Sequence, residues 1–325
     1  MRTVVTGGAG FVGSHLIERL IAEGHDVLCI ERPGAKRGWI HGLPVSWDDG
    51  GLEDVGHLRE RFGNADVVFH LAALTEARSE DEFYAVNTEG TNRVMEAAAS
   101  VSLPPRVVFM STLAAAGPCR GNADLTPDTV PYPLSVYGHS KLLAEAVVHA
   151  YADRVPATIL RFPSVYGPRE RAVLKLFRMI AHGFAITVGG WEREISLVYV
   201  DDAVSGLMAA MNRDEAIGRT YIIAHPESVT WSQFARAVAA EVGRDPFLVA
   251  LPTAAGRMAA LCVEGVSRLQ GRAAILNRDR VRELSQRRWV CNPATAMRQL
   301  GYAPLYPVRV GVPRTAAWYR EVKWL

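Results

Sequence analysis

Tyr137 and Lys141 stand four residues apart in the run Tyr-Gly-His-Ser-Lys. That spacing puts a phenol and an ammonium on one face of a helix. A free phenol titrates near about pH 10 and is a poor proton-transfer group at neutrality. A neighbouring ammonium favours the phenolate and moves it toward the working range of a general acid–base. Taken alone, the pair is also what a chance helix surface gives. Upstream, Met110-Ser111-Thr112 closes a β-branched run, and a hydroxyl there would hold a substrate oxygen close to the phenol.

A second cluster lies at the start of the chain. Gly7, Gly10 and Gly13 fit a GxxGxxG spacing, and Gly8, Gly10 and Gly13 a GxGxxG spacing, between a strand-like run and a helical one. A side chain in such a loop would block the turn and keep backbone N–H groups from a pyrophosphate. The helix that follows turns the positive end of its dipole toward the anion. The next strand ends Cys29-Ile30-Glu31-Arg32. Glu31 lies where a carboxylate accepts from the adenine-ribose hydroxyls, which favours NAD. Arg32, Lys36 and Arg37 suit a 2′-phosphate instead, so NADP is the alternative.

The elements that must position these groups follow from periodicity. Val4–Thr6, Asp26–Ile30, Asp66–His70, Arg106–Met110 and Ala157–Leu160 are short apolar runs of strand length. Helical patterns at 11–23, 81–100 and 136–152 alternate with them, which predicts a parallel sheet covered on both faces. After about residue 165 the pattern loosens into helices at 170–181, 201–212, 231–242 and 254–268. The expected fold is α/β: a Rossmann-type doubly wound parallel sheet over 1–165, with a smaller C-terminal substrate lobe over 166–325 interleaved with it. The helix at 136–152 carries Leu142, Leu143, Ala146, Val147 and Ala150, a broader apolar surface than one sheet contact needs.

Composition bounds the rest. The 325 residues carry 36 Lys and Arg against 34 Asp and Glu, so no large field draws nucleic acid or an anionic membrane surface. Four scattered cysteines without a CxxC pair, and nine histidines without HExxH, predict no metal site and a reducing compartment. The run at 245–266 is interrupted by Arg257 and Glu264, and the first residues lead straight into a strand. The expectation is a cytoplasmic protein.

These motifs together resemble the extended short-chain dehydrogenase/reductase superfamily, in its NAD-dependent epimerase/dehydratase branch. TGGAGFVGSHL at 6–16 is similar to the family's nucleotide loop, and His70-Leu-Ala-Ala73 to its segment beside the cofactor. Asn87-Thr-Glu-Gly90, Arg161-Phe-Pro-Ser-Val-Tyr-Gly-Pro168 and Val200-Asp201-Asp202 resemble further family segments. The resemblance implies hydride transfer between a secondary carbinol and nicotinamide, with Tyr137 as acid–base, Lys141 on the nicotinamide ribose, Thr112 on the substrate hydroxyl and Ser111 in support. It implies cofactor contacts at Gly7, Gly10, Phe11, Val12, Gly13, Glu31, Arg32, Leu52, Leu71, Ala72, Ala73, Asn87, Tyr137, Lys141, Pro163 and Val165. Substrate contacts fall at Thr75, Thr112, Ser164 and Arg193, and a homodimer pairs the helix at 136–152 with that at 88–100.

The departures bear on substrate. Leu113-Ala114-Ala115 follows Thr112 where sugar dehydratases resembling this chain carry an acidic pair, so a dehydratase is not expected. Ser164 stands in place of an asparagine usual in sugar-nucleotide enzymes. Ile195 stands where they place a diphosphate-pairing arginine, the nearest being Arg193. Gly51 replaces the usual first Asp of GDLxD, and Ala116 the usual tyrosine. The leading expectation is a net alcohol–ketone oxidoreductase acting on a small molecule. A nucleotide-sugar epimerase with tightly held NAD is the alternative.

Overall fold

The structure, a computed structural model, describes residues 1–270, 272–274 and 277–325. Seven strands form its main sheet: β1 (Arg2–Thr6), β2 (Asp26–Ile30), β3 (Ser46–Asp48), β4 (Val67–His70), β5 (Arg106–Thr112), β6 (Ala157–Phe162) and β7 (Thr220–Ile222). Their order is β7-β6-β5-β4-β1-β2-β3, every pair parallel. The strands expected from apolar runs are all present. β3 and β7 were not expected, because three residues are too few to show a period.

Ten helices matter here: α1 (Phe11–Ala22), α2 (Val55–Phe62), α3 (Gly90–Ala99), α4 (Val136–Ala150), α5 (Arg171–Ala181), α6 (Val200–Met211), α7 (Trp231–Val242), α8 (Thr253–Leu269), α9 (Arg278–Leu284) and α10 (Val308–Glu321). Leu16, Ile17 and Leu20 of α1 pack with Val204 and Leu207 of α6 on one face of the sheet. Leu58 of α2, Val94 and Met95 of α3, and Ala144 and Val148 of α4 cover the other. Both faces being dry, the central strands read as continuous apolar runs rather than alternating ones.

The helical pattern at 81–100 is not one helix. A short turn at Glu80–Phe83 runs into a π-helical segment, Tyr84–Glu89, before α3 begins at Gly90. The wider turn surrounds Asn87, whose side chain is used elsewhere, as π-segments at functional sites commonly are.

The second half of the chain is not confined to the lobe. It returns through α6 and β7 to complete the sheet, and then builds a separate core from Leu174, Phe177, Phe234, Val312 and Tyr319. The strand order reverses between β1 and β4, so the crevice for a ligand opens at the carboxyl ends of those strands, where the expected site residues lie.

Candidate active site

The glycine loop is shaped for close approach. Gly7 has φ +74°, and a Cβ there would lie 2.7 Å from the Ala72 nitrogen. A Cβ on Gly13 would lie 2.3 Å from the Gly7 oxygen, so helix and loop touch backbone to backbone. Gly10 caps α1 without any side-chain bond to the first-turn amides. Those amides and the helix dipole are therefore available to an anion, and a pyrophosphate fits the cradle. Phe11 is half-buried at its edge, while Val12 is packed into the core. Leu71 and Ala72 close the far side, their amides donating to the Thr6 carbonyl at 3.1 Å and the Thr6 hydroxyl at 3.3 Å.

Glu31 sits at the end of β2, where its carboxylate accepts from the Ala9 amide at 2.7 Å. Burial pushes its carboxyl up, opposed by the Ala9 bond and the charge of Arg32. Arg32 and Lys36 are exposed, and Arg37 lies over the Trp47 ring at 5.3 Å. Leu52 is half-buried beside the start of α3. Asp48 supports this edge: burial would raise its carboxyl, but the Gly50 amide, His57 and Arg61 outweigh that and hold it low.

Tyr137 lies in the first turn of α4 and Thr112 at the end of β5, and the two hydroxyls come together. Burial pushes the Tyr137 phenol up to about 12, while hydrogen bonding to Thr112 opposes the rise. Lys141 is 2% exposed, donates from Nζ to the Met110 carbonyl at 2.8 Å and lies 4.0 Å over the Phe109 ring. Burial pushes its ammonium down to about 7, against the opposing charge of Glu145. The expected ordering, with Lys141 drawing the phenol down, is reversed in the protein alone. Desolvation acts on both groups and favours the neutral form of each. The Tyr137 phenol is consequently protonated at neutral pH.

Several expected residues fall elsewhere. Ser111 turns toward α4, on the same face of β5 as Phe109. It is 3% exposed, and its hydroxyl donates to Glu145 at 2.6 Å, inside a buried network in which Arg161 pairs Glu145 at 2.7 Å. Asn87 is fully buried: its Oδ1 accepts from the Leu74 amide at 2.8 Å, and its Nδ2 donates to the Leu74 carbonyl and the Ser140 hydroxyl. It ties the loop holding Ala72, Ala73 and the exposed Thr75 to α4 rather than offering an atom to the cleft. Pro163 is buried, Ser164 exposed and Val165 between, just after β6. Arg193 is 6% exposed, bonded to the Gly190 carbonyl and the Thr187 hydroxyl, with Nη1 unpaired among the described residues. His139 is exposed, as its placement between Tyr137 and Lys141 on the helix predicts.

Sequence reasoning missed α9. Glu283 accepts from the Ser135 hydroxyl at 2.5 Å, Asp279 from the Val136 amide at 2.8 Å, and Arg282 donates to the Leu134 carbonyl at 3.3 Å. Three bonds from one short helix thus hold the three residues ahead of Tyr137. No local signal pointed to them, although Asn277 followed by an Arg- and Glu-rich turn is a readable helix start.

The model of the NAD dependent epimerase/dehydratase family matches residues 3–224. A ceramide reductase of Caulobacter vibrioides is 28% identical over 99% of this chain and 95% of its own length. A 4-hydroxy-2-methyl-3-oxo-4-farnesyl-3,4-dihydroquinoline-1-oxide ketoreductase of Stigmatella aurantiaca is 30% identical, covering 93% and 92%. Among solved structures, MoeE5 in complex with UDP-glucuronic acid and NAD aligns at TM-score 0.78 and 26% identity, covering 99% of this chain and 100% of that one. With its glycine cradle, its Thr112–Tyr137 pair and a model matching most of its length, this chain belongs to the NAD-dependent epimerase/dehydratase family.

Proposed function

We propose that this member of the family is a net ketone–alcohol oxidoreductase whose substrate is not a sugar nucleotide. The observation that carries the reading is Ile195. It is 6% exposed, sits in the core of the C-terminal lobe and pairs with Val229, where sugar-nucleotide relatives would carry an arginine for the diphosphate. A charge-assisted bidentate grip on a diphosphate is absent at that position. Arg193 already uses Nε and one Nη on the lobe's own Gly190 and Thr187. Full-length similarity to two ketone or ceramide reductases supports the same reading.

NAD supplies or accepts the hydride when bound. Tyr137, neutral at pH 7, donates its proton to the ketone oxygen, and the Thr112 hydroxyl orients that oxygen. Lys141, beneath the Met110 carbonyl, holds the nicotinamide-ribose side of the cleft. Asn87 and Ser140 keep the loop after β4 against α4. No acidic side chain follows Thr112, so nothing there removes a second proton for dehydration.

Residues 1–165 hold the cofactor and 166–325 mainly hold the substrate in this reading. Leu143 of α4 is 38% exposed with Ala146 beside it, and we assign a homodimer contact to that face of α4 with α3. The four cysteines are thiols, with Cys262 exposed, which fits the reducing cytoplasm.

The test is a ligand titration of purified protein, joined to mass spectrometry of any copurifying dinucleotide. Reversible NAD binding, no response to UDP-sugars and consumption of added NADH with an apolar ketone are expected. Tightly retained NAD with a UDP-sugar response overturns the reading in favour of an epimerase.

A further inference from the structure

Helix α8 is unusual for a globular protein because its apolar residues face out. Only Gly256 and Ala260 of its described positions are buried. Met258 is 66% exposed, Leu261 49% and Val266 54%, with Ala254, Ala255, Ala259 and Cys262 exposed between them. Spacings of three and four make this a continuous stripe rather than scattered residues. A Cβ on Gly256 would lie 2.7 Å from Val188, so the helix is pressed against the lobe by its smallest residues, and the larger ones are left outside.

The apolar surface continues into the strands ahead of α8. Phe184–Val188 pairs in parallel with Phe247–Leu251, placing Phe184 opposite Phe247 and Ile186 opposite Val249. Phe247 is 77% exposed, Ile186 42% and Phe184 40%. Leu251 then leads through Pro252 directly into α8.

Charge on this part of the chain is as lopsided as hydropathy. Residues 243–290 contain nine arginines and four acids, whereas the whole chain is nearly balanced. Arg257, Arg272, Arg278, Arg280, Arg282 and Arg287 are exposed. An open groove of about 910 Å³ runs between α8, α9 and the loop at 77–80. It is lined by Arg78, Arg257, Arg272, Arg278 and Arg282 against the acids Glu80, Glu264 and Asp279, Glu264 pairing Arg278 at 3.2 Å, and it reaches Val136, the residue before Tyr137.

We propose that α8 and the adjoining strand pair dock the protein on an anionic lipid bilayer surface, with the groove opening from that surface toward the active site. An exposed apolar stripe flanked by arginines is the pattern of a helix that lies in the headgroup layer without crossing it. No helix among the described residues is long and apolar enough to span a membrane. Each arginine near an anionic leaflet is favourable, and the bare apolar side chains enter the acyl boundary. A second copy is a poorer partner for this face. A two-fold contact would set the arginine cluster against itself, whereas lipid phosphates complement it. The whole-chain charge balance, which argued against an anionic membrane surface, averages this face with a remainder that is net acidic.

The experiment is vesicle flotation of the full chain with phosphatidylcholine alone and with phosphatidylcholine–phosphatidylglycerol mixtures, alongside light scattering for mass. The parent is expected to float with the mixed vesicles, to be released by salt, and to stay in solution with phosphatidylcholine. Met258→Asp/Val266→Asp and Arg257→Glu/Arg272→Glu are expected to weaken flotation at least about ten-fold. All four side chains are exposed, so thermal midpoint and NAD affinity should match the parent. Failure of the parent to float, equal flotation on both vesicle types, or variants that float like the parent overturns the proposal. So does a fall in mass for Met258→Asp/Val266→Asp, which would make the face a self-interface.

Discussion

Glu283 accepts a hydrogen bond of 2.5 Å from the Ser135 hydroxyl, across 148 residues of sequence. Ser135 caps α4, its side chain also accepting from the Gly138 amide. The C-terminal lobe is thereby bonded to the residue two before Tyr137. Burial raises the Glu283 carboxyl, and its charge raises the Tyr137 phenol in turn. Removing that charge in Glu283→Gln lowers the phenol, so the pH profile of turnover should move to lower pH with KM for NAD unchanged. A profile that stays in place rules out the coupling. Ser135→Ala loses the cap and should cost about 1 kcal/mol in denaturant unfolding.

Tyr137→Phe deletes only the phenol oxygen, the proton donor of the proposed mechanism. Turnover should fall by about 10²–10⁴-fold while NAD affinity measured by titration stays within about two-fold. Turnover like the parent's would remove Tyr137 from the mechanism.

Lys141 has a testable stability signature. Its ammonium is lowered from 10.5 to about 7 in the folded chain. Between those values the unfolded chain binds the extra proton, so the parent's stability rises with pH across this window and its penalty is near full at pH 7. Lys141→Met abolishes the penalty. The variant should be inactive yet melt higher at pH 7, and the difference should shrink as pH approaches 10. Parallel stability curves for the two proteins would contradict a desolvated Lys141.

Glu31→Ala should weaken NAD more than NADP, by about 1.5–3 kcal/mol for each charged hydrogen bond lost to the ribose. Equal losses for both cofactors in paired titrations would show that Glu31 does not select between them.

Glu145 balances Arg161 inside the protein, their side chains 3% and 6% exposed. Glu145→Ala leaves a buried guanidinium uncompensated and should destabilise by about 3–5 kcal/mol in denaturant unfolding. A loss below about 1 kcal/mol would mean that Arg161 finds another partner.

What the sequence by itself determined was whatever depends on neighbours along the chain. Gly7 and Gly13 announced a backbone needing positive φ and close approach, apolar runs of strand length announced the sheet, and the spacing of Tyr137 and Lys141 put them on one helix. Tertiary structure alone decided what depends on desolvation and on distant partners. Desolvation moves Tyr137 up and Lys141 down because it favours the neutral form of each, which no spacing reveals. Asn87 serves Leu74 and Ser140, partners 13 and 53 residues away. Ser111 belongs to the buried Glu145 network, although it neighbours Thr112. β3 and β7 exist because a sheet edge was there to receive them, since three residues carry no pattern of their own. The outward stripe of α8 reads in sequence as an ordinary apolar helix face. Only packing shows which side is left uncovered, because periodicity gives an amphipathic face but not the surface it meets.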